Sequence, residues 1–502
     1  MVSLVGVDIG ISDCRVLAIS HDGRPLAQAR ASYTPESAGS GDLTLDPGAV
    51  WDAVGGAIAE AIRRTHSDRP LAICIASTPT AVTPLDAEGG LLGPALLCGS
   101  PLSDENASGG FDGLTSDEVV NALGDRPAAL SPLRALFHWR RDQPSLYARM
   151  WRAVPLATLV GLRLGGACVV DASMGAGMQL LDVASRTWSG KVLRVVHMTD
   201  AKLPEILAAG SPIGTVSPSV AGALGIAQDV RIVLGGADYA CAALALGVLH
   251  PSMGLLSLDR VISILAAYEA PPLVGLLYAR GLNAVPHVVA NRWLTEALTP
   301  AGGNVLRWLR DAWMAPEARE AAAHGYDFYR RLMDEMPGDP TGIVALPPHE
   351  KVLSGHGQTR RLGGLWGITT TSSRGEVVKA FLEGAMLASA ESVGSLREAG
   401  VGLRALRATG PGARSEPWLQ LAADVMGITI EETGVLYPTP LGAAMLAGIG
   451  AGVYSNARDA ADTIVRVQRR YEPRPSHHDA YVALRERYRA VRDALAAFDE
   501  SL

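Results

Sequence analysis

The sequence contains few cysteines, few aromatic residues and no concentrated charge of either sign. Its five cysteines among 502 residues are scattered without the spacing of a zinc site, which favours a reducing compartment over a disulfide framework. The net charge is -7 and no basic block is present, which argues against nucleic acid as the main partner. No apolar run has the length of a membrane span, and the first ten residues lack the basic region of a signal peptide. We therefore expect a cytoplasmic protein that has neither a nucleic-acid nor a membrane partner.

The hydrophobic residues, 48% of the chain, follow an alternating strand and helix pattern. Three short apolar stretches at residues 4–8, 14–20 and 27–33 predict an antiparallel meander. A helix is predicted over residues 48–65, because Asp46-Pro47 is typical of a helix start. The next apolar stretch, residues 71–76, predicts another strand. This β-β-β-α-β order is typical of an α/β fold.

A similar order recurs in the second half of the chain. Strands are predicted at residues 255–258, 261–268 and 288–295, and each half ends in a helix rich in alanine and glycine, the second at residues 439–450. Small residues let two helices cross with their backbones close together, as a hinge between two lobes requires. We expect a first lobe of residues 1–250, a second of residues 251–460, and a helical tail, residues 461–502, packed on the lobes.

The stretch from Arg231 to His250 carries the strongest candidate for chemistry. Its apolar start predicts a buried strand, Gly235-Gly236 predicts a tight turn, and Asp238 then stands at the start of a helix. One interpretation is a helix cap after a strand. The other is a general base, because the amide dipoles of a helix start keep a carboxylate ionised and able to accept a proton.

Several motifs, taken in order, resemble the FGGY family of carbohydrate kinases, whose fold is shared with actin, hexokinase and the heat-shock chaperone ATPases. The motifs that carry the resemblance are DIGISDCR (8–15), HWRRDQPSLYARMWRAVPLATLVGLRLGG (138–166), VVDASMGAGMQLLD (169–182), GGADYACAALALG (235–247), AGGNVLRWLRD (301–311), FLEGAM (381–386), GPGARSEPWLQLAADVMG (410–427) and LGAAMLAGIGAG (441–452). The resemblance implies two actin-like, ribonuclease H-like domains with an interlobe cleft. It also implies ATP and Mg²⁺ as cofactors and a small sugar or polyol as partner; a homodimer is left open.

The resemblance further implies a role for individual residues. Asp238 would be the base that takes the proton from the substrate hydroxyl, and Asp8 would help to hold Mg²⁺. The implied nucleotide-binding residues, all in turns or next to them, are Gly10, Ser12, Arg15, Arg260, Gly302, Gly303, Gly410, Gly412 and Ala413. The candidate substrate-binding residues are Thr78, Ser100, Asp171 and Asp238. Simpler interpretations stay open: a turn residue for Asp8, a solvated strand charge for Arg15 and a loop cap for Asp171.

The sequence also departs from the family pattern. Ile11 stands where the first phosphate loop has threonine, and Asp259-Arg260 stands in place of the second phosphate loop. A carboxylate there would repel ATP, whereas the arginine would attract it. Ser77-Thr80 stands where the family usually has Gln and Met or His, and the charged residues that grip sugar hydroxyls are replaced near Ser100. The leading hypothesis is an ATP-dependent kinase acting on a hydroxyl of a small sugar, polyol or cyclitol. The alternative is a catalytically weak or inactive nucleotide-binding sensor or scaffold.

Overall fold

Two β-sheets organise the chain in the computed structural model, which describes residues 2–37, 43–65, 69–97, 117–125, 131–269, 274–348 and 363–499. The first sheet has the order β5-β6-β4-β1-β2-β3. Its strands are β1 (Val2–Ile9), β2 (Asp13–Ser20), β3 (Pro25–Ser32), β4 (Arg69–Ser77), β5 (Pro212–Thr215) and β6 (Arg231–Ala237). Strands β1, β4 and β6 run parallel to one another, and the other three are antiparallel to their neighbours.

The second sheet repeats this arrangement, in the order β9-β10-β8-β7-β11-β12-β13. Its strands are β7 (Met253–Leu258), β8 (Ile262–Tyr268), β9 (Val285–Pro286), β10 (Trp293–Thr299), β11 (Ala405–Thr409), β12 (Thr429–Glu432) and β13 (Arg469–Tyr471). Strands β7, β11 and β12 are parallel, and β7, β8 and β10 form the antiparallel meander. We call residues 2–250 the first lobe and residues 251–499 the second lobe.

Seven helices matter most for the architecture. They are α1 (Pro47–Arg64), α2 (Asp238–Ala245), α3 (Gly303–Trp308), α4 (Arg374–Glu398), α5 (Glu416–Met426), α6 (Pro438–Ala451) and α7 (Pro475–Asp499). Helix α1 begins where the sequence predicts, because the Asp46 carboxylate accepts a 2.8 Å hydrogen bond from the Gly48 N–H. Helix α7 packs on the second lobe through the buried side chains of Tyr481, Leu484 and Tyr488.

Smaller elements surround the two sheets. The remaining helices are Asp117–Leu123, Pro132–Asp142, Pro144–Arg149, Leu156–Leu164, Ala172–Gly177, Gly190–Val195, Pro218–Leu224, Val274–Tyr278, Ala315–His324, Phe328–Asp334 and Ala457–Ile464, with shorter helical turns at Asp200–Lys202, Leu309–Trp313 and Pro411–Arg414. A five-stranded sheet of the first lobe contains Glu36–Ser37, Leu43–Leu45, Ala81–Leu85, Ala95–Leu97 and Arg152–Pro155. Three two-stranded ribbons pair Val169–Val170 with Glu205–Ile206, Leu181–Asp182 with Thr187–Trp188, and Val344–Leu346 with Gly364–Trp366.

Helices α2 and α6 form the layer between the two sheets. They share one apolar core with Leu4 of the first sheet and Leu255 and Leu265 of the second. The two helix backbones touch at Gly442, where an added Cβ would lie 1.9 Å from the Cys241 carbonyl oxygen. Helix α6 also touches the first sheet, because a Cβ on Gly6 would lie 1.8 Å from the Pro440 carbonyl oxygen. The small residues therefore provide the close crossing that the sequence predicts, although its action as a hinge stays a prediction.

Two predicted boundaries are wrong. The third strand of the second meander is Trp293–Thr299 and not residues 288–295. The sequence of residues 130–164 predicts a helix broken near Gln143-Pro144, but the structure has the strand Arg152–Pro155 within this stretch. This strand forms because it pairs with Ala81–Leu85, and such long-range pairing leaves no local signal in the sequence.

The crossing of α2 and α6 predicts a stability effect. Gly442→Ala places a methyl group against the Cys241 backbone, which neither helix can avoid, so the free energy of unfolding should fall by about 1–3 kcal/mol or more. Gly394→Ala on α4 is the matched control, because no atom lies within 4 Å of the added methyl group. Urea unfolding of both variants checks this expectation. Equal midpoints for the two variants would contradict the close crossing.

Candidate active site

Strands β1 and β6 of the first sheet and β7 and β11 of the second sheet end at one cavity of about 710 Å³. In α/β sheets the carboxyl ends of the strands are where ligands bind. From the first lobe, the end of β1 contributes Asp8 and Gly10, and the end of β6 leads into Asp238. From the second lobe, the ends of β7 and β11 lead into Asp259 and Gly410, which also line the cavity. The structure thus brings together residues that are far apart in the sequence.

Asp238 faces this cavity from the first turn of α2. Ala237 occupies the N-cap position, so the Asp238 carboxylate does not cap the helix. Its Oδ1 atom accepts a 2.7 Å hydrogen bond from the Tyr239 N–H. Burial raises the pKa of Asp238 to about 6, while the Tyr239 N–H acts in the opposite direction. The carboxyl is therefore mostly ionised at neutral pH, as a general base requires.

Asp8 shares the cavity with Asp238. Side chains alternate along β1, so Asp8 lies on the same face of the sheet as Leu4 and Gly6, towards the start of α6. Burial and, to a smaller extent, the negative charge of Asp238 raise the pKa of Asp8 to about 7, while the positive charge of Arg15 acts in the opposite direction. The two carboxyl groups repel each other when both are ionised, so a cation or a hydrogen-bond donor between them would be stabilised.

The turn between β1 and β2 is closed by its own backbone. The Gly10 N–H donates a 2.9 Å hydrogen bond to the Asp13 carbonyl oxygen, and the Tyr33 hydroxyl donates a 2.7 Å bond to the Gly10 carbonyl oxygen. Arg15 lines the cavity above the Tyr437 ring, at 5.7 Å from its centre. Ser12 and Ile11 are exposed in this turn, and neither is among the residues that line the cavity.

Asp13 is a cavity residue that the sequence analysis missed. Its carboxylate forms ion pairs with Arg15 at 3.3 Å and with Arg30 at 2.7 Å, so it orients the arginine nearest to Asp8. The signal that could have found it is its place at the start of β2, three residues after the turn glycine Gly10. Closing a turn of this length brings its last residue back to the cavity.

A second cavity of about 840 Å³ adjoins the first, and both are lined by Asp259, Pro411 and Arg414. Of the predicted nucleotide-binding residues, Arg260, Gly303 and Gly412 line this second cavity.

The other predicted nucleotide-binding residues of the second lobe, Gly302, Gly410 and Ala413, are not among the lining residues of the second cavity. Gly302 lies beneath the turn after β7, because a Cβ there would be 2.7 Å from the Asp259 carbonyl oxygen. Gly410 has a φ of 86°, which favours glycine. Ala413 packs against the core of the second lobe and is not among the lining residues of either cavity.

Apart from Asp238, no predicted substrate-binding residue that the structure describes lines either of the two cavities. Ser100 lies outside the described residues. Thr78 is buried at the end of β4, with its hydroxyl 3.0 Å from that of Thr80, and is not among the lining residues of either large cavity. Asp171 is also outside both linings. Its substrate role and that of Thr78 stay predictions.

Asp171 has a supporting position behind Asp238. Its carboxylate accepts 2.9 Å hydrogen bonds from the Ser173 and Met174 N–H groups and so caps the helix Ala172–Gly177. The Ser173 hydroxyl donates to the same carboxylate and accepts a 2.9 Å hydrogen bond from the Ala237 N–H. This geometry favours the capping interpretation, and the chain of hydrogen bonds fixes the backbone immediately before Asp238.

Glu296 is a second residue that the sequence analysis missed. It lies on β10 and lines the first cavity from the second lobe. Burial and, to a smaller extent, the negative charge of Asp238 raise the pKa of Glu296 to about 7. The available signal was a single charged residue within the otherwise uncharged strand WLTEALT.

The raised pKa values predict how stability depends on pH. Unfolded Asp8 titrates near its ordinary value of 3.8, and folded Asp8 titrates near 7, so the penalty from this carboxyl grows as pH rises between these values. Asp8→Asn should therefore stabilise the ligand-free protein by roughly 1–2 kcal/mol at pH 8, with a smaller gain at pH 5. Urea unfolding at the two pH values measures the difference.

Asp22 provides the control, because the Ser20 hydroxyl lowers the pKa of that exposed carboxyl. Asp22→Asn should give no gain at pH 8. A loss of stability in Asp8→Asn at pH 8 would show that the Asp8 charge is compensated in the ligand-free protein.

Among the described residues, no helix has the length and apolar character needed to cross a membrane. No group of three or more histidine, cysteine, aspartate or glutamate side chains in that part of the chain has the arrangement of a metal cage.

Comparison with known proteins identifies the family. Residues 3–245 match the N-terminal domain of the FGGY family of carbohydrate kinases, and residues 276–451 match its C-terminal domain. The autoinducer-2 kinase of Salmonella typhimurium is 24% identical over a 528-residue alignment that covers 99% of this chain and 96% of that protein.

Solved structures confirm the predicted α/β fold with two actin-like lobes. A xylulose kinase from Rhodospirillum rubrum (24% identity, TM-score 0.84) covers 99% of both chains. A Plasmodium falciparum glycerol kinase with ADP (16% identity, TM-score 0.85) covers 98% of both chains. With both family domains matched in order along the chain, the protein belongs to the FGGY family of carbohydrate kinases.

Proposed function

We propose that this protein transfers the γ-phosphoryl group of ATP to a hydroxyl of a small sugar, polyol or cyclitol. The observation that carries the proposal is the position of Asp238 and Asp8 in one cavity between two lobes of repeated topology. Phosphoryl transfer needs a positioned acceptor, charge neutralisation and a base in line with the attacking oxygen. In this proposal, residues around the cavity meet each of these three requirements.

Asp238 acts as the base in this mechanism. The Tyr239 N–H orients the Asp238 carboxylate, which accepts the proton of the attacking hydroxyl. The chain of hydrogen bonds from Asp171 through Ser173 to the Ala237 N–H keeps the start of α2 in place. Asp238 thus meets the acceptor with little loss of conformational entropy at the moment of reaction.

The two adjoining cavities fit the two parts of ATP. The larger one, between the turn after β7 and the start of α5, holds the nucleoside in this proposal. The phosphates then extend past Gly410 and Arg414 into the smaller cavity, where Arg15 contributes positive charge. Backbone N–H groups in glycine turns and arginine side chains are suited to this role.

The residues present also fit Mg²⁺. This ion prefers oxygen ligands and is usually held by one or two carboxylates together with substrate phosphates. Asp8 provides such a carboxylate, and the mutual repulsion of Asp8 and Asp238 favours a cation nearby. When bound, Mg²⁺ neutralises charge on the transferring phosphoryl group.

The acceptor in this proposal is a small molecule with several hydroxyl groups. The similar proteins include kinases named for autoinducer-2, xylulose, gluconate and glycerol. The cytoplasmic location expected from the sequence fits an ATP-dependent reaction and stays a prediction.

Removal of the base gives the first test of the function. Asp238→Asn should lower kcat by about 10²–10⁴-fold, because the variant cannot accept the proton, whereas ATP affinity should change little. ADP release is measured with ATP, Mg²⁺ and a panel of glycerol, D-xylulose and D-gluconate. Asp493→Asn, at an exposed site of α7, is the matched control.

One outcome of this experiment would contradict the kinase function, and another would contradict the role of Asp238. ATP binding without turnover of any acceptor by the native protein would favour the nucleotide-binding sensor. A large loss of ATP affinity in Asp238→Asn would contradict a role confined to the acceptor hydroxyl.

The turn after β7 gives a second test, which concerns the altered phosphate loop. Asp259 lines both cavities, and its Oδ1 atom accepts a 2.6 Å hydrogen bond from the Arg260 N–H. Asp259→Asn keeps this acceptor and removes a charge that repels phosphate, so ATP affinity should rise roughly three- to ten-fold. Arg260→Ala should weaken it by a similar factor. Calorimetric titration with ATP measures both, and weaker binding by Asp259→Asn would indicate that this carboxylate holds a cation beside the phosphates.

A further inference from the structure

Glu296 lies on the cavity wall that strands β7, β8 and β10 form, together with two leucines and two serines. Strand register places it beside Leu265 of β8, and Leu265 lies beside Leu255 of β7. All three residues line the cavity, facing the first lobe. Burial of a carboxylate beside leucine side chains costs free energy unless the carboxylate is hydrogen-bonded or paired with a positive charge. The presence of Glu296 at this position therefore needs a physical reason.

Asn283 holds Glu296 in this position. The Asn283 Oδ1 atom accepts a 2.8 Å hydrogen bond from the Glu296 N–H, and the Asn283 side chain also hydrogen-bonds to the Glu296 carboxyl and thereby lowers its pKa. A carboxylate can accept about four hydrogen bonds. The Asn283 amide supplies only part of this capacity, and the cavity is open to a ligand that supplies more.

Among the residues that the structure describes, the titratable groups around Glu296 are themselves acidic. Asp238 at the start of α2 and Asp125, just after the helix Asp117–Leu123, both raise its pKa. Tyr239 also interacts with it, and the pKa of that hydroxyl is raised well above its ordinary range by burial and by the surrounding carboxylates. Neither a neutral Tyr239 nor a second carboxylate supplies the positive charge that an ion pair would need.

Glu296 and Asp238 also belong to different lobes. Glu296 is fixed to the second sheet, and Asp238 to the helix that follows the first sheet. A molecule with two hydroxyl groups can donate one hydrogen bond to each carboxylate. Such a molecule would relieve the repulsion between the two groups and would connect the lobes across the cavity.

We propose that Glu296 is a specificity-determining residue that accepts a hydrogen bond from a second hydroxyl of the acceptor while Asp238 deprotonates the first. Glu296 then selects among polyhydroxy acceptors by a hydroxyl other than the one that is phosphorylated. This inference rests on the proposed kinase function. Because binding to both lobes favours the state in which they are closed, the acceptor itself promotes closure over ATP.

The test separates acceptor binding from catalysis. In Glu296→Ala the KM for the preferred acceptor of the glycerol, D-xylulose and D-gluconate panel should rise about 10- to 100-fold, because a hydrogen bond to a charged group is lost. The KM for ATP should change less than about threefold. Glu296→Gln retains one acceptor oxygen and should recover part of the loss. Glu269→Gln, at an exposed ion pair with Arg292 at the end of β8, is the matched control and should behave like the native protein.

A deoxy analogue of the acceptor distinguishes contact from a merely structural effect. Removal of the hydroxyl that meets Glu296 should raise the KM of the native enzyme about as much as Glu296→Ala does, and the variant should no longer discriminate between the two compounds. An unchanged acceptor KM in Glu296→Ala, or undiminished discrimination by that variant, would overturn the inference while leaving the kinase function intact. Absence of native turnover with every acceptor would overturn both, and that outcome is recognised from the native enzyme alone.

Discussion

The structure depends on the close approach of two helix backbones, those of α2 and α6. Gly442 makes this approach feasible against α2, and Gly6 allows α6 to lie on the first sheet. Each helix follows the last parallel strand of its own sheet, and the two helices together separate the sheets. As a result, the carboxyl ends of β1 and β6 meet those of β7 and β11 at one place, and the cavity lies there.

This arrangement concentrates negative charge where a charged substrate must bind. Asp8, Asp238 and Glu296 all have raised pKa values, each chiefly because of burial, and the Asp238 charge adds to the effect at the other two sites. The ionised forms of these carboxylates are thus destabilised in the ligand-free protein, and a cation or a hydrogen-bond donor would stabilise them. Such a cost to stability is expected at a functional site, where binding of a cation and of hydroxyl donors offsets it.

The sequence allowed the fold and the two central acids to be predicted, because both rest on local patterns. Asp238 follows an apolar strand and two glycines, Asp8 ends the first strand, and the meander recurs in the second half. The positions of Asp13 and Glu296 in the cavity could not be predicted, because they depend on turn closure and on strand register. The strand Arg152–Pro155 was missed for the same reason, since it is defined by its partner Ala81–Leu85. Asp171 lies in a motif that implies a substrate role, and the structure shows its carboxylate capping a helix, so the substrate role stays a prediction.

The most direct test of the account is a crystal structure of the protein with Mg²⁺ and a non-hydrolysable ATP analogue. The account predicts that the nucleoside lies in the larger cavity beside Gly303 and Gly412, and that the terminal phosphorus lies in the smaller cavity, facing Asp238 with Asp8 beside it. A nucleotide bound outside both cavities, or one whose terminal phosphate points away from Asp238, would contradict it.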